Sequence, residues 1–467
     1  MKKKSALNLL LIITIVLIAI SPRIFFVNQT NYTAEDAFIT FQVSRNISRG
    51  DGFSVNKNAQ IYGSTTPLLS LLLAGWLLIS KDIVLGSRVI SILGIAIGAI
   101  LFYFSAENKK ATFLFLIIFS FSGRLIAEDM SGMEMGLLFL FVGASLFFYS
   151  NDSPLLSGVF SGLLLMTRID AVIWPFSLFL AYFVHKKKGI LKYSASTSLT
   201  YLPWVAFAFL YFGSPIPFTI IAKKVAYGIG NPSYWVHTKT ILRYLNYYVV
   251  ALALSGCFLL RKKEHYWIFF YFFIIQFAEL VFSGATFFNR YFYLLIISTY
   301  MMASATLHEI ASRINYRKTG YAIAIAAIVF LSYTKFNDTI NYSRGIQAGR
   351  HEILKQIGIW IHQNSEESAT VLLEPLGYVG FYADRTMIDE VGLVTPDVVD
   401  LHKKRVPGHE FYRVFHPDFV LWTCEEGMED RQIIQDEYDL VAIFDGGTNR
   451  SCYEIRKKKI GEINYDG

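Results

Sequence analysis

The sequence predicts a polytopic α-helical membrane protein with about eleven transmembrane helices and a C-terminal extracytoplasmic α/β domain. Three observations carry that prediction. First, 54% of the 467 residues are hydrophobic and only 17% are charged, against roughly 25% charged in an ordinary soluble domain. A mean hydropathy of +0.41, with 40 Phe and 28 Tyr, is more apolar side chain than a soluble interior holds. Second, the basic residues gather in clusters between apolar runs. Third, the composition turns polar and β-rich after residue 335. These features exclude intrinsic disorder, a collagen-like fibre and a disulfide-stapled mini-domain. The net charge of +7 is distributed as a membrane topology signal, so no nucleic-acid partner is expected.

The apolar runs are 6–27, 83–104, 111–127, 133–150, 154–167, 171–184, 190–212, 241–260, 266–284, 290–308 and 319–335. The first follows Met-Lys-Lys-Lys but has no small-x-small cleavage site before Arg23, so it reads as a retained anchor. With the N-terminus in the cytoplasm, Lys2–Lys4, Lys109–Lys110, Lys186–Lys188, Arg261–Lys263 and Arg313/Arg317/Lys318 all fall inside. This holds only if the short Pro67-led run 67–80 lies on the outer surface without crossing. The expected location is a plasma or inner membrane. Two regions follow: a multi-span module 1–335, with a first outer loop 28–82, and an extracytoplasmic domain 336–467. The outer side also receives the loop 128–132, the turn Arg168–Asp170, the loop 213–240 and a turn near 285–290.

In the terminal region, 346–362 has helical apolar spacing. The runs 370–374, 378–383, 419–423, 439–444 and 452–456 read as strands between turn residues. Cys257 lies in an apolar run and reads as packing. Cys424 and Cys452 can pair if this region is outside the cytoplasm. No zinc spacing, Walker A loop, GxGxxG or HExxH occurs in the sequence.

The sharpest chemical signal is Glu35-Asp36, opening an amphipathic segment through Arg49. Phe38, Phe41, Val43 and Ile47 could rest on the membrane while Arg45 and Arg49 face headgroups or phosphate. The acidic pair is either a helix cap or a general base at the mouth of a membrane cavity. Cations on the outer side add to it. Lys223 and Lys224 follow the Pro215/Pro217 loop, Arg290 opens a span, and Arg168 shares a turn with Asp170. Ionisable groups at membrane depth are functional candidates, against the alternatives of headgroup contact, snorkelling and a local ion pair. Glu128, Asp129 and Glu134 form a second outer acidic group. It reads as acceptor binding or local structure rather than as a metal site. His237 is a lone outer histidine, and His265 and His308 read as structural.

The stretch EDAFITFQVSRNISRGDGF, then IYGSTTPLLSLLLAG (61–75), EDMSGMEMGLLF (128–139), GLLLMTRIDA (162–171), YFGSPIPFTIIAKK (211–224) and GYVGFYADRTMIDEVGLVTPD (377–397), resembles in order the membrane-embedded GT-C glycosyltransferases. The resemblance is to the branch containing the mycobacterial terminal β-arabinofuranosyltransferase. More distantly, it extends to protein O-mannosyltransferases and the lipid A aminoarabinose transferase. It implies a polyprenyl-phosphate-linked sugar as donor, a cell-envelope acceptor hydroxyl, and a site on the outer membrane face. Glu35 or Asp36 would be the catalytic base, and Lys223, Lys224, Arg290 and Arg168 would bind the donor phosphate. Tyr62, Glu128, Asp129, Glu134, Asp170 and Asp389 would bind acceptor or shape the site. Monophosphate donors of this kind imply no metal or other cofactor. The competing readings are a flippase of lipid-linked sugar without bond chemistry and a polymerase or ligase using a diphosphate-linked oligosaccharide.

Overall fold

The computed structural model describes residues 2–227, 233–283, 288–313, 335–424, 434–446 and 452–459. Helices dominate up to residue 313: α1 (Lys2–Thr30), α2 (Ala37–Arg49), α3 (Pro67–Leu77), α4 (Ile83–Ser105), α5 (Lys109–Phe121), α6 (Gly123–Asp129), α7 (Met135–Ser150), α8 (Pro154–Thr167), α9 (Ile173–Val184), α10 (Ile190–Phe212), α11 (Phe218–Tyr227), α12 (Tyr234–Leu245), α13 (Tyr247–Leu259), α14 (Glu264–Phe282) and α15 (Tyr293–Arg313).

Four segments among the described residues are long and apolar enough to cross a bilayer, the last being α15 extended back to Asn289. Six are, if the bent pairs α5–α6 (71°) and α12–α13 (91°) each count as one span. That is fewer than eleven. The apolar runs at α7, α8 and α9 are helical but shorter, and the run 319–335 lies almost wholly outside the described residues. Small residues let these helices approach closely, as apolar solvent requires. A Cβ on Gly94 of α4 would stand 2.5 Å from the carbonyl oxygen of Gly136 in α7. One on Gly162 of α8 would stand 2.8 Å from that of Thr197 in α10.

A helix over 335–346 (α16) runs through a π-helical turn, Gln347–His351, into α17 (Glu352–Asn364). Beyond it lie β1 (Thr370–Leu373), α18 (Gly377–Ala383), β2 (Thr386–Asp389), α19 (Pro396–Lys403), β3 (Phe419–Thr423), β4 (Tyr438–Asp445) and β5 (Cys452–Lys458). The sheet order is β2-β1-β3-β5-β4. β1 pairs in parallel with β2 and β3, and β5 pairs antiparallel with β3 and β4. Cys424 and Cys452 form a disulfide.

Two expectations are corrected here. The run 378–383 is not a strand. It forms α18, whose Tyr378 and Val379 are buried, and one of the two parallel partners of β1 is the unforeseen β2. Nor does α2 lie on a membrane surface. Its apolar face is covered by α18: Phe38 lies 3.9 Å from Tyr378 and 5.4 Å from Phe381 between ring centroids. Its cations are paired within the protein too. Arg45 and Arg49 each reach Asp384 at 2.9 Å, and Arg45 also donates to the carbonyl of Phe381. Asn56 then mimics a strand neighbour, exchanging two hydrogen bonds of 2.8 and 2.9 Å with the backbone of Met387 in β2.

Candidate functional site

Glu35 and Asp36 occupy the turn between α1 and α2, and four segments fix that turn. Arg88 of α4 donates to the carbonyls of Asn31 and Tyr32 and to the Thr33 hydroxyl. Gln347 of the π-helical turn accepts the Thr33 N–H at 3.0 Å. Ala34 N–H donates to the carbonyl of Ser131 at 2.8 Å. Gly377, at the start of α18, donates its N–H to the Glu35 carboxylate.

Asp36 sits at the N-terminus of α2, but its side chain makes no capping hydrogen bond. It forms an ion pair with Arg290 instead. The capping alternative therefore fails for Asp36. The Arg290 guanidinium lies 4.9 Å from the Phe288 ring centroid, and the ammonium of Lys223 lies 5.0 Å from the same centroid. One aromatic ring thus gathers both cations beside the acidic pair. α11, which carries Lys223, is anchored where Phe218 N–H meets the carbonyl of Tyr62 at 2.9 Å.

The electrostatics separate the two acids. Burial raises the Glu35 pKa, and the neighbouring charges of Asp36 and Glu374 push it further. Burial would also raise Asp36, but the charges of Arg290 and Lys223 and a hydrogen bond from Arg290 outweigh it and hold that carboxyl below its usual range. Burial and the Arg290 charge lower Lys223 to about 8.

The other candidates divide. Lys224 is exposed, whereas Lys223 is partly buried. Arg168 is buried, with its fork spent on Glu134 and Asp170 at 2.6 Å each. Both ends of its guanidinium are thus engaged in ion pairs. Asp129 is engaged by Arg23, with contacts of 2.6 and 2.9 Å and both side chains fully buried, and by the hydroxyl of Tyr293. Tyr62 is buried, accepts from Trp204 at 2.8 Å and stacks on Phe212. Its carbonyl accepts the N–H of Phe218 at the start of α11. Asp389 is buried and accepts the N–H groups of Leu393 and Val394 at 2.5 and 2.8 Å, which closes its own loop. Glu128 makes no side-chain hydrogen bond or ion pair among the described residues. No group of three or more metal-ligating side chains is gathered among them either.

Sequence reasoning missed three residues. Arg23 was visible as a lone charge in an apolar run. Glu374, the acid after β1, and Arg350, on the π-helical turn, had no signal beyond their residue type.

The fold is shared with solved structures. It matches ArnT from Cupriavidus metallidurans bound to undecaprenyl phosphate with a TM-score of 0.64 at 12% identity, covering 95% of this chain and 97% of that one. It matches the Archaeoglobus fulgidus oligosaccharyltransferase in its apo form with a TM-score of 0.61 at 12% identity, covering 89% and 69%. AglB from the same organism, in complex with an inhibitory peptide and a dolichol-phosphate, matches at 0.61 and 12%, covering 90% and 69%. At these identities the likeness is one of fold. The chain therefore shares the fold of these proteins over nearly its whole length. Residues 339–457 match a family described as a domain of unknown function, DUF8728. No curated protein matches the sequence.

Proposed function

We propose that this protein is a membrane glycosyltransferase that moves one sugar from a polyprenyl-phosphate donor to a hydroxyl of a cell-envelope acceptor on the extracytoplasmic face. The observation that carries this reading is the pairing of Asp36 with Arg290, beside Lys223. A carboxylate base and two phosphate-binding cations in one recess are what displacement at a sugar C1 requires. The bound lipids of the structural neighbours, undecaprenyl phosphate and dolichol-phosphate, support the donor class. The ordered loop motifs support a place near the arabinosyl-transferring branch. No metal enters the reaction as written.

In this mechanism Asp36 is the base. A base must be ionised, and Asp36 is the acid whose ionised form its neighbours favour. Arg290 holds it in the resting state. An arriving donor phosphate competes for Arg290 and Lys223 and frees the carboxylate. The acceptor oxygen then bonds to the sugar C1, its proton passes to Asp36, and the C1–O bond to phosphate breaks. The leaving polyprenyl phosphate takes the electron pair of that bond, and Lys223 and Arg290 stabilise the negative charge it gains.

The test uses the protein in lipid nanodiscs, a panel of radiolabelled polyprenyl-phosphate sugars and a cell-envelope extract. Asp36→Asn should lose transfer by about 100-fold or more while still binding undecaprenyl phosphate. Glu35→Gln should lose less. Transfer that survives Asp36→Asn moves the base elsewhere. Donor lipid moved across the bilayer with no bond cleaved favours the flippase.

A further inference from the structure

β1 is the point in the sheet where the strand order reverses. The chain passes from β1 to β2 on one side and then crosses to β3 on the other, all three parallel. In open sheets of this kind, ligands bind outside the carboxyl ends of the strands at such a point. Here the residue at that end is Glu374, and the chain turns there through Pro375 and Leu376 to Gly377, whose N–H holds Glu35. The carboxyl end of β1 and the acidic turn of the first loop thus lie side by side.

Glu374 has the character of a ligand-facing group at that junction. Its side chain is solvent-exposed, and it makes no hydrogen bond or ion pair among the described residues. The surrounding protein nevertheless desolvates it, and with the Asp389 and Asp36 charges this raises its carboxyl to about 7. Arg350 faces it electrostatically and is tethered to the hydroxyl of Tyr453 at 3.1 Å. The ring of Tyr227, 42% exposed, is coupled to Glu374, Asp36 and Glu35 alike. A carboxylate, a guanidinium and an open aromatic face make a saccharide-binding set. The carboxylate accepts from hydroxyls, the guanidinium donates to ring or hydroxyl oxygens, and the aromatic face covers C–H groups.

We infer that Glu374 binds the hydroxyls of a saccharide acceptor, with Arg350 and Tyr227 beside it, so that the terminal domain presents the acceptor to the acidic pair. This rests on the glycosyltransferase reading above and names the acceptor class it leaves open. Glu374 is an acceptor-binding residue, not the base.

The experiment uses full-length protein in nanodiscs with two separate probes. Saturation-transfer NMR with a panel of methyl glycosides reads the acceptor side, and binding of undecaprenyl phosphate reads the donor side and the fold. Wild type should bind at least one glycoside. Glu374→Gln should weaken that binding about tenfold or more and leave undecaprenyl phosphate binding unchanged. Glu374→Asp, which keeps the charge, should recover part of it. Equal glycoside binding by wild type and Glu374→Gln overturns the inference, and so does a wild type that binds undecaprenyl phosphate but no glycoside. A wild type that binds glycosides but no undecaprenyl phosphate overturns the donor reading and leaves the Glu374 comparison to be read by itself.

Discussion

At the scale of single residues, the site is defined by two neighbouring acids with opposite perturbations. Asp36 is held low by Arg290 and Lys223 against its burial, and Glu35 is raised by burial, Asp36 and Glu374. The raised acid makes a stability prediction. A group whose folded pKa lies above its unfolded value, about 4.3 for glutamate, adds stability below that value and loses it as pH rises through the folded one. Glu35→Gln should therefore raise the melting temperature at pH 8 and leave it nearly unchanged at pH 4. An equal or lower melting temperature at pH 8 would show that Glu35 is not desolvated. The Asp36–Arg290 pair makes a second prediction. Asp36→Asn and Arg290→Ala share one interaction, so their effects on transfer should be non-additive by about 1–3 kcal/mol in a double-mutant cycle; additive losses would separate their roles. Both residues were legible in the sequence, as an acidic pair after the first span and as a charge opening a later one. Arg168 was legible in the same way but does other work. The sequence shows that a cation lies at membrane depth, but not that Glu134 and Asp170 have already engaged it.

At the scale of elements, the first loop and the terminal sheet are built against each other, and glycine marks the closest approach. A Cβ on Gly377 would lie 2.1 Å from the Glu35 carbonyl oxygen and 2.5 Å from its Oε1. Backbone cannot yield to that contact, so Gly377→Ala should displace α18 from the acidic turn. It should cost about 1–3 kcal/mol and abolish transfer; full activity with unchanged melting would refute the close approach. Two polar contacts at the same interface should rank by burial of their partners. Asp384→Asn loosens a pair to the 45% exposed Arg49 and one to the less exposed Arg45 but keeps a side chain that can accept from both, which costs about 1 kcal/mol or less. Asn56→Ala leaves the Met387 N–H and carbonyl without their partners, which costs about 1–3 kcal/mol. Denaturant melts that reverse this order would contradict the strand mimicry of Asn56. None of this docking could be read from the sequence. Periodicity showed that α2 had an apolar face, but a membrane surface and a folded partner impose the same pattern. The same limit made α18 look like a strand, because a short apolar run with aromatic residues fits either state until its partner is known.

At the scale of the whole molecule, the two ends of the helical bundle are chemically different. α4 has 23 residues, roughly 35 Å of helix against a hydrocarbon core of about 30 Å. Arg88, near its start, holds the turn that carries Glu35. Beyond its other end, Glu107 accepts the N–H of His265 at 2.9 Å, and Lys187 lies 3.8 Å from Glu264. α15 repeats the pattern, from the site at Arg290 down to Glu309, which shares a small cavity with Glu107, Lys263 and His265. Three basic loops predicted to be cytoplasmic therefore meet at one end, and the acidic pair and its cations lie at the other. α3, with 11 residues, is about 17 Å long, shorter than the hydrocarbon core. Accessibility labelling can test this arrangement, because the disulfide leaves Cys257 as the free thiol among the described residues. In a Cys257→Ala background, Lys81→Cys and Lys404→Cys should react with an impermeant maleimide in right-side-out vesicles. Lys110→Cys and Lys262→Cys should react only after permeabilisation. The reverse pattern would put the recess in the cytoplasm and remove the extracytoplasmic acceptor. Labelling of Lys81→Cys and Lys110→Cys from the same side would mean that α4 does not cross, and the two-ended arrangement would fall with it.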